Sequence, residues 1–178
     1  MKEPDIELLV FLACSAVVLI LSKDSLRERH SYGYYRFFAF EFILLLFLAN
    51  YHWWFESPFS LIQITSWIAL LMSSVLVVGG FYSLGFSNAS GVTTENPPEL
   101  VQDGVYAYVR HPLYSSLFFL ALGVFLKKPS LFSAILLFGA SFSLNATARA
   151  EEAVNVRKFG DDYLEYVRRT KMFVPFLY

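Results

Sequence analysis

The feature that most constrains this fold is a run of 24 residues, 61–84, that contains no charged side chain. About 20 mostly apolar residues form a helix that crosses a bilayer, so this run predicts a membrane span. Because the apolar runs lack the alternating pattern of a membrane β-barrel, helices are the expected spanning elements. Four further runs predict four more spans, at 6–21, 34–51, 113–126 and 131–148. The sequence therefore predicts an all-α, polytopic integral membrane bundle of about five spans.

Composition supports the same class of protein. Hydrophobic residues make up 56% of the chain and charged residues only 16%, which leaves more apolar surface than a soluble domain of this length can hide. The net charge of −1 excludes a broad basic surface, so nucleic acid is not an expected partner. Membrane lipids are the expected surroundings.

The distribution of basic residues predicts the orientation. With five spans, eleven of the 14 Lys and Arg residues fall on one side, and that side is expected to be cytoplasmic. The connection 85–112 and the tail 149–178 both emerge there, so we expect them to meet. The tail reads as two short helices forming a cytoplasmic helical cap, with Gly160 ending the first and Asp161 or Asp162 capping the second.

We therefore divide the chain into two parts. Residues 1–84 hold three spans and are expected to be scaffold. Residues 85–178 are expected to form a catalytic region: a cofactor loop at 85–112, a helical hairpin at 113–148 and a C-terminal lid at 149–178. The hairpin turn is expected at Lys127-Lys128-Pro129-Ser130.

Two polar clusters lie at predicted span ends. Arg110-His111 stands before Pro112, which suits the first turn of a helix, and a helix start with added basic donors attracts a carboxylate or phosphate. The same residues could equally be a basic anchor reaching lipid headgroups. Glu151-Glu152 could accept hydrogen bonds from a ligand or form a solvated helix exit. No metal is expected.

The order and spacing of these clusters resemble the isoprenylcysteine carboxyl methyltransferase family, and phospholipid N-methyltransferases share much of the signature. The resemblance extends from about Leu84-Gly85 to Pro175, roughly half of the chain. The residues that carry it are Leu100-Val101, Gly104, Tyr106, Val109-Arg110-His111-Pro112, Tyr114, Glu151-Glu152, Phe159-Gly160, Tyr163 and Tyr166. It implies an integral membrane enzyme that uses S-adenosyl-L-methionine, with a cofactor pocket capped by the tail. It also implies a lipophilic small-molecule or lipidated substrate that enters from the bilayer.

The resemblance also implies roles for individual residues. Cofactor contacts are expected from Leu100, Val101, Tyr106, His111, Pro112, Leu113, Tyr114 and Glu151. Counting back from Phe159-Gly160 selects Glu151 as the cofactor glutamate, whereas counting forward from Tyr114 selects Glu152. Catalytic roles are expected for Arg110, Glu151 and Glu152, and substrate binding for Arg110 and Arg149.

Two positions depart from the family pattern. Pro98 stands where a histidine is usual, and Thr147 stands where a substrate-contacting arginine is usual. Arg149 lies two residues later, about 200° around a helix, and cannot simply inherit that role. Arg110 is the other candidate for binding the acceptor.

The expected function is methyl transfer from S-adenosyl-L-methionine to a lipophilic acceptor, whose nucleophile is a carboxylate, a thiol or a lipid amine. One alternative is a membrane sterol-reductase-like NADPH oxidoreductase, since such enzymes carry a similar Arg-His-Pro-x-Tyr element. The other is a non-catalytic membrane scaffold. The glutamate pair and the short chain favour methyl transfer.

Overall fold

The computed structural model describes residues 3–27, 31–56, 59–89 and 100–174, and within these ranges it is a bundle of helices without extended sheets. Short 3-10 turns lie at Tyr51–Trp53 and Gly104–Ala107. Pro98 and Pro175–Tyr178 fall outside the described residues. The helices are α1 (Glu3–Leu26), α2 (Tyr32–Asn50), α3 (Leu61–Ala89), α4 (Pro112–Lys127), α5 (Leu131–Phe159) and α6 (Asp161–Arg169).

Among the residues that the structure describes, three helical segments are long and apolar enough to cross a membrane: Tyr32–Trp53, Leu61–Gly85 and Leu131–Phe159. The all-helical membrane class predicted from the sequence is therefore confirmed. The other two predicted spans correspond to α1 and α4, and α4 has only 16 residues, fewer than the ~20 that a crossing needs. The count of five spans remains a prediction.

Local sequence explains where the helices begin. The Ser31 and Ser130 hydroxyls accept hydrogen bonds from the backbone N–H groups of Tyr34 and Ser133, which satisfies the open first turns of α2 and α5. Pro112 begins α4, as its fixed φ angle and missing N–H predict.

The tail differs from the prediction of two short helices. α5 continues without interruption from the span through Glu151 to Phe159. Alanine, arginine and glutamate are strong helix formers, so the polar exit does not break the helix. Gly160 is confirmed as the cap, with φ of 57° and its N–H donating to the Val156 carbonyl. The predicted aspartate cap is wrong, because Gly160 also caps α6 and both aspartates lie in its first turn.

The core lies between α2, α4 and α5, around Leu46, Val124 and Ala140. Polar side chains tie neighbouring helices together there. The Asn50 amide donates to the Val124 carbonyl at 2.9 Å and accepts from the Ser133 hydroxyl at 3.1 Å. Hydrogen bonds of this kind between helices hold apolar bundles together. The antiparallel arrangement brings the starts of α2 and α4 and the ends of α3 and α5 to one end of the bundle.

The loop before α4 and the tail meet at that end, as predicted. The backbone N–H of Arg110 donates to the Lys171 carbonyl at 2.8 Å, and the backbone N–H of Lys171 donates to the Tyr108 carbonyl at 3.2 Å. Further along, the Ser115 hydroxyl donates to the Phe173 carbonyl at 2.7 Å. The tail is thus fixed to the start of α4 by main-chain bonds. That this end is cytoplasmic remains a prediction.

Candidate active site

A cavity of about 580 Å³ lies where the helix ends converge. This volume is within the range of pockets that enclose cofactors and drug-sized ligands. Most of the residues that the sequence assigned to a site line it: Leu100, Val101, Tyr106, Arg110, His111, Leu113, Tyr114 and Glu151. The tail contributes Phe159, Tyr163 and Tyr166. The structure therefore brings the two predicted polar clusters and the tail to one space.

Three of the sequence-predicted residues do not line the cavity. Pro112 is buried at the start of α4. Glu152 lies behind the wall and bonds to two residues of it. Arg149 is exposed, and its Nε donates to the Asn145 side-chain oxygen at 2.9 Å.

The cavity also has walls that the motifs did not indicate. α2 and α3, which the sequence assigned to scaffold, contribute to it together with additional residues of α4 and α5. These lining residues are Arg36, Phe40, Val77, Phe81, Leu84, Ser116, Leu117 and Asn155. Two of them carry signals in the sequence. Arg36 is an ionisable residue in an apolar span, and Asn155 follows Glu151 by one helical turn.

Polarity changes along the cavity. The polar lining residues lie at one end of the bundle. Glu151 lies in the last turns of α5, Tyr106 lies in the loop before α4, and His111 directly precedes α4. The residues that lie further along their helices toward the middle of the bundle are apolar, among them Phe40 and Leu117. Phe40 is about 6 Å further along α2 than Arg36, at 1.5 Å per residue. The cavity thus has a polar end and an apolar floor.

Glu151 presents a carboxylate oxygen with an unused hydrogen-bonding capacity. Among the described residues, its Oε2 is buried and accepts no hydrogen bond, and the His111 Nδ1 lies 3.8 Å away. The Tyr114 hydroxyl interacts with the same carboxylate. A buried acceptor without a donor costs free energy, roughly 1–3 kcal/mol and more when charged. Glu151 is therefore suited to accept a hydrogen bond from a ligand.

Behind this wall, Glu152 holds two neighbouring side chains. Its Oε1 accepts from the Arg110 Nε at 2.7 Å and lies 3.4 Å from the His111 Nε2. The Arg110 Nη1 donates to the carbonyls of Thr170 at 2.6 Å and Val167 at 3.3 Å. Arg110 thereby joins the α5 end, the α4 start and the tail.

His111 is fixed on several sides. It is buried, its ring stacks on Tyr114 with centroids 5.5 Å apart, and the Phe173 ring lies at 6.3 Å. The backbone N–H of His111 donates to the Met172 carbonyl at 3.2 Å, which fixes the main chain that carries the ring. The ring is thus held in one orientation at the cavity wall.

Three tyrosines that line the cavity, Tyr106, Tyr163 and Tyr166, remain protonated at neutral pH. Burial, and secondarily the charge of Glu151, raises the pKa of Tyr106 to about 12. Burial also raises the pKa of Tyr163 to about 12, and it raises the pKa of Tyr166 above its ordinary value. The Tyr166 hydroxyl donates to the Tyr106 carbonyl at 2.7 Å. These groups are hydrogen-bond donors and not bases.

Relatives of known name match this chain. The family model described as phospholipid methyltransferase matches residues 61–162. A protein-S-isoprenylcysteine O-methyltransferase of Schizosaccharomyces pombe is 34% identical over 110 residues, which cover 60% of this chain and 44% of that protein. The Homo sapiens protein of the same name is 28% identical over 168 residues, covering 88% of this chain and 56% of its own length. The Arabidopsis thaliana protein-S-isoprenylcysteine O-methyltransferase B is 28% identical over 127 residues, covering 71% and 62%.

This chain spans about half the length of the curated relatives it matches. No solved structure matches it significantly. The family match includes α4, α5 up to Phe159 and both glutamates, so it covers two walls of the cavity. Because that match extends over more than half of the residues, the chain belongs to the phospholipid methyltransferase family.

Proposed function

We propose that this protein is a membrane methyltransferase that uses S-adenosyl-L-methionine and acts on a lipophilic acceptor. The observation that carries the proposal is the cavity itself, in which a buried carboxylate oxygen without a donor lies at the polar end and apolar side chains form the floor. A polar cofactor and an apolar acceptor can occupy such a space together.

The residues present fit this cofactor. Glu151 would accept a hydrogen bond from its amino group or a ribose hydroxyl. The carboxylate of the cofactor would suit His111 and the free N–H groups at the start of α4. Leu100 and Val101 supply apolar contacts beside Tyr106. These assignments agree with the roles that the family resemblance implies.

When bound, the cofactor supplies an electrophilic methyl group on a positively charged sulfur. The protein then has to hold a nucleophile in line behind that methyl group and exclude water. Phe159, Tyr163 and Tyr166 would exclude water from above. Glu152 would act through Arg110 and His111, as a residue that keeps the cofactor wall in position.

The acceptor is proposed from the floor of the cavity and from the relatives. The relatives are named for O-methylation of S-isoprenylcysteine in proteins. Phe81 lines the cavity while 63% of its surface is exposed, so we propose that the cavity opens to the side beside this apolar ring. In a membrane this opening faces lipid, which suits an isoprenyl chain entering from the bilayer. We propose that the site opens near the cytoplasmic surface, where the basic residues concentrate.

Titration calorimetry with S-adenosylhomocysteine on the detergent-solubilised protein tests the cofactor site. The wild type should bind, and Glu151→Gln should bind about 10- to 100-fold more weakly, because a hydrogen bond to a charged group is lost. His111→Ala should also weaken binding. Glu165→Gln is a matched control, since Glu165 is an exposed glutamate outside the cavity.

Two other results of this titration would point to a different function. Binding of reduced nicotinamide cofactor without binding of S-adenosylhomocysteine would replace the proposal with an oxidoreductase. Binding of neither compound would leave a non-catalytic scaffold.

A further inference from the structure

We infer that Arg36 is the residue of this protein that binds the carboxylate of the methyl acceptor, the contact that position 147 does not supply. This inference rests on the proposed function. Arg36 lies in the second turn of α2, and its side chain lines the cavity beside the Tyr114 hydroxyl, with which it interacts. No sequence motif of the catalytic region includes it.

Among the arginines near the cavity, Arg36 has the donors available for a ligand. The Arg110 guanidinium already bonds to Glu152 and to two carbonyls. Arg149 lies outside the cavity wall. Within the described ranges, no carboxylate forms an ion pair with Arg36. A guanidinium has five N–H donors in a planar fork that matches a carboxylate.

The position expected to carry an arginine cannot take this role. Thr147 is fully buried between helices, and its hydroxyl donates to the Ser143 carbonyl one turn earlier at 2.7 Å. It does not line the cavity. Arg36 supplies from α2 a positive charge that α5 does not supply.

The surroundings of Arg36 favour the acceptor over the cofactor as its ligand. Phe40 follows one turn deeper on the same helix and belongs to the apolar floor. A ligand bound by both residues has a carboxylate attached to an apolar chain. The Tyr114 hydroxyl interacts with both Arg36 and Glu151, so an acceptor carboxylate at Arg36 would lie next to the cofactor proposed at Glu151, as methyl transfer requires. A lipid amine would meet like charge at Arg36 in an environment of low dielectric constant, which strengthens the repulsion.

Methyl transfer to a carboxylate needs no base from the protein. An α-carboxyl group has a pKa of roughly 3.5, so the acceptor is already ionised at neutral pH. One carboxylate oxygen forms a bond to the methyl carbon while the sulfur–methyl bond breaks, and that electron pair stays on sulfur. The products are a methyl ester and a neutral thioether, and no proton moves. Arg36 would bind the reactant more tightly than the uncharged ester, which assists product release.

The test compares two inhibitors of the same shape and different charge. N-acetyl-S-farnesylcysteine carries the free carboxylate, and its carboxamide analogue does not. Both are titrated into wild type, Arg36→Ala and Arg36→Lys, each loaded with S-adenosylhomocysteine. Arg157→Ala is the matched control, because Arg157 is exposed on α5 away from the cavity.

The wild type and the control should prefer the carboxylate by about 10- to 100-fold, the effect of a charge-assisted hydrogen bond. Arg36→Ala should abolish that preference, and Arg36→Lys should retain part of it. S-adenosylhomocysteine should bind all four proteins equally.

Equal binding of the two inhibitors by the wild type would overturn the inference. An unchanged preference in Arg36→Ala would also overturn it while leaving the proposed function intact. Loss of S-adenosylhomocysteine binding in both Arg36 variants would assign the residue to the fold or the cofactor site. Failure of the wild type to bind S-adenosylhomocysteine would instead refute the proposed function.

Discussion

Replacing Arg110 with methionine should release the tail from the bundle. The guanidinium of Arg110 joins Glu152 of α5 to the carbonyls of Val167 and Thr170, which lie at the end of α6. Three of its donors are used inside the protein. We therefore propose that Arg110 positions the site and does not contact the acceptor.

The expected magnitude follows from burial. The side chains of Arg110 and Glu152 are 9% and 18% exposed, so this pair behaves as a buried one. Removing one partner of a buried pair costs about 3–5 kcal/mol. Because Glu152 keeps His111 at 3.4 Å, we expect the lower end, about 3 kcal/mol. In a chain of this size each kcal/mol lowers the melting temperature by about 2–4 °C, so the expected decrease is about 6–12 °C.

Thermal unfolding in one detergent measures the stability, and hydrogen exchange of residues 161–174 measures attachment of the tail. Arg169→Met is the matched control, because Arg169 pairs with Glu165 at 60% and 68% exposure and its hydrogen bond to the Gln102 side chain is also exposed. Exposed pairs contribute about 0–1 kcal/mol. Arg110 does not attach the tail if Arg110→Met is no less stable than Arg169→Met, or if protection of the tail is unchanged while only acceptor affinity falls.

Two further predictions concern the tail. Gly160→Ala should destabilise the protein by about 1–3 kcal/mol in thermal unfolding, because Gly160 has a φ of 57°, although an added Cβ would meet no neighbouring group within 4 Å. Gly85→Ala is the control, since Gly85 is helical and equally open, and it should be neutral or stabilising; a similar loss in both variants would contradict the role of φ. The folded state holds the protons of Tyr106 and Tyr163 up to a pKa of about 12, whereas the unfolded chain releases them near 10. Stability should therefore fall as pH rises from about 10 to 12, and Tyr163→Phe should show a smaller fall; an identical pH profile for both proteins would contradict this assignment.

Local pattern predicted the helices of the bundle well, since uncharged runs have few alternatives in a membrane. The predicted span at 61–84 lies inside α3, and Pro112 and Gly160 mark boundaries as expected. The continuation of α5 past Glu151 was not predicted. Charged residues there resemble a helix exit, and only helix propensity indicates that the backbone continues.

Within the site, the residues that belong to a sequence motif could be predicted, whereas the residues that helix packing brings to the cavity could not. His111, Tyr114 and Glu151 follow from a family pattern. Arg36 reaches the cavity only because α2 packs beside α5, which no local spacing reveals. The bonds of Arg110 to the tail carbonyls are equally non-local, so its charge alone suggested a ligand contact.

The most direct measurement of the central claim is label transfer from methyl-tritiated S-adenosyl-L-methionine to N-acetyl-S-farnesylcysteine by the purified protein in lipid nanodiscs. The account predicts a labelled, base-labile methyl ester with the wild type, greatly reduced label with Glu151→Gln, and normal label with Glu165→Gln. Absence of label with a folded wild type that binds both compounds, or equal label from Glu151→Gln, would contradict it.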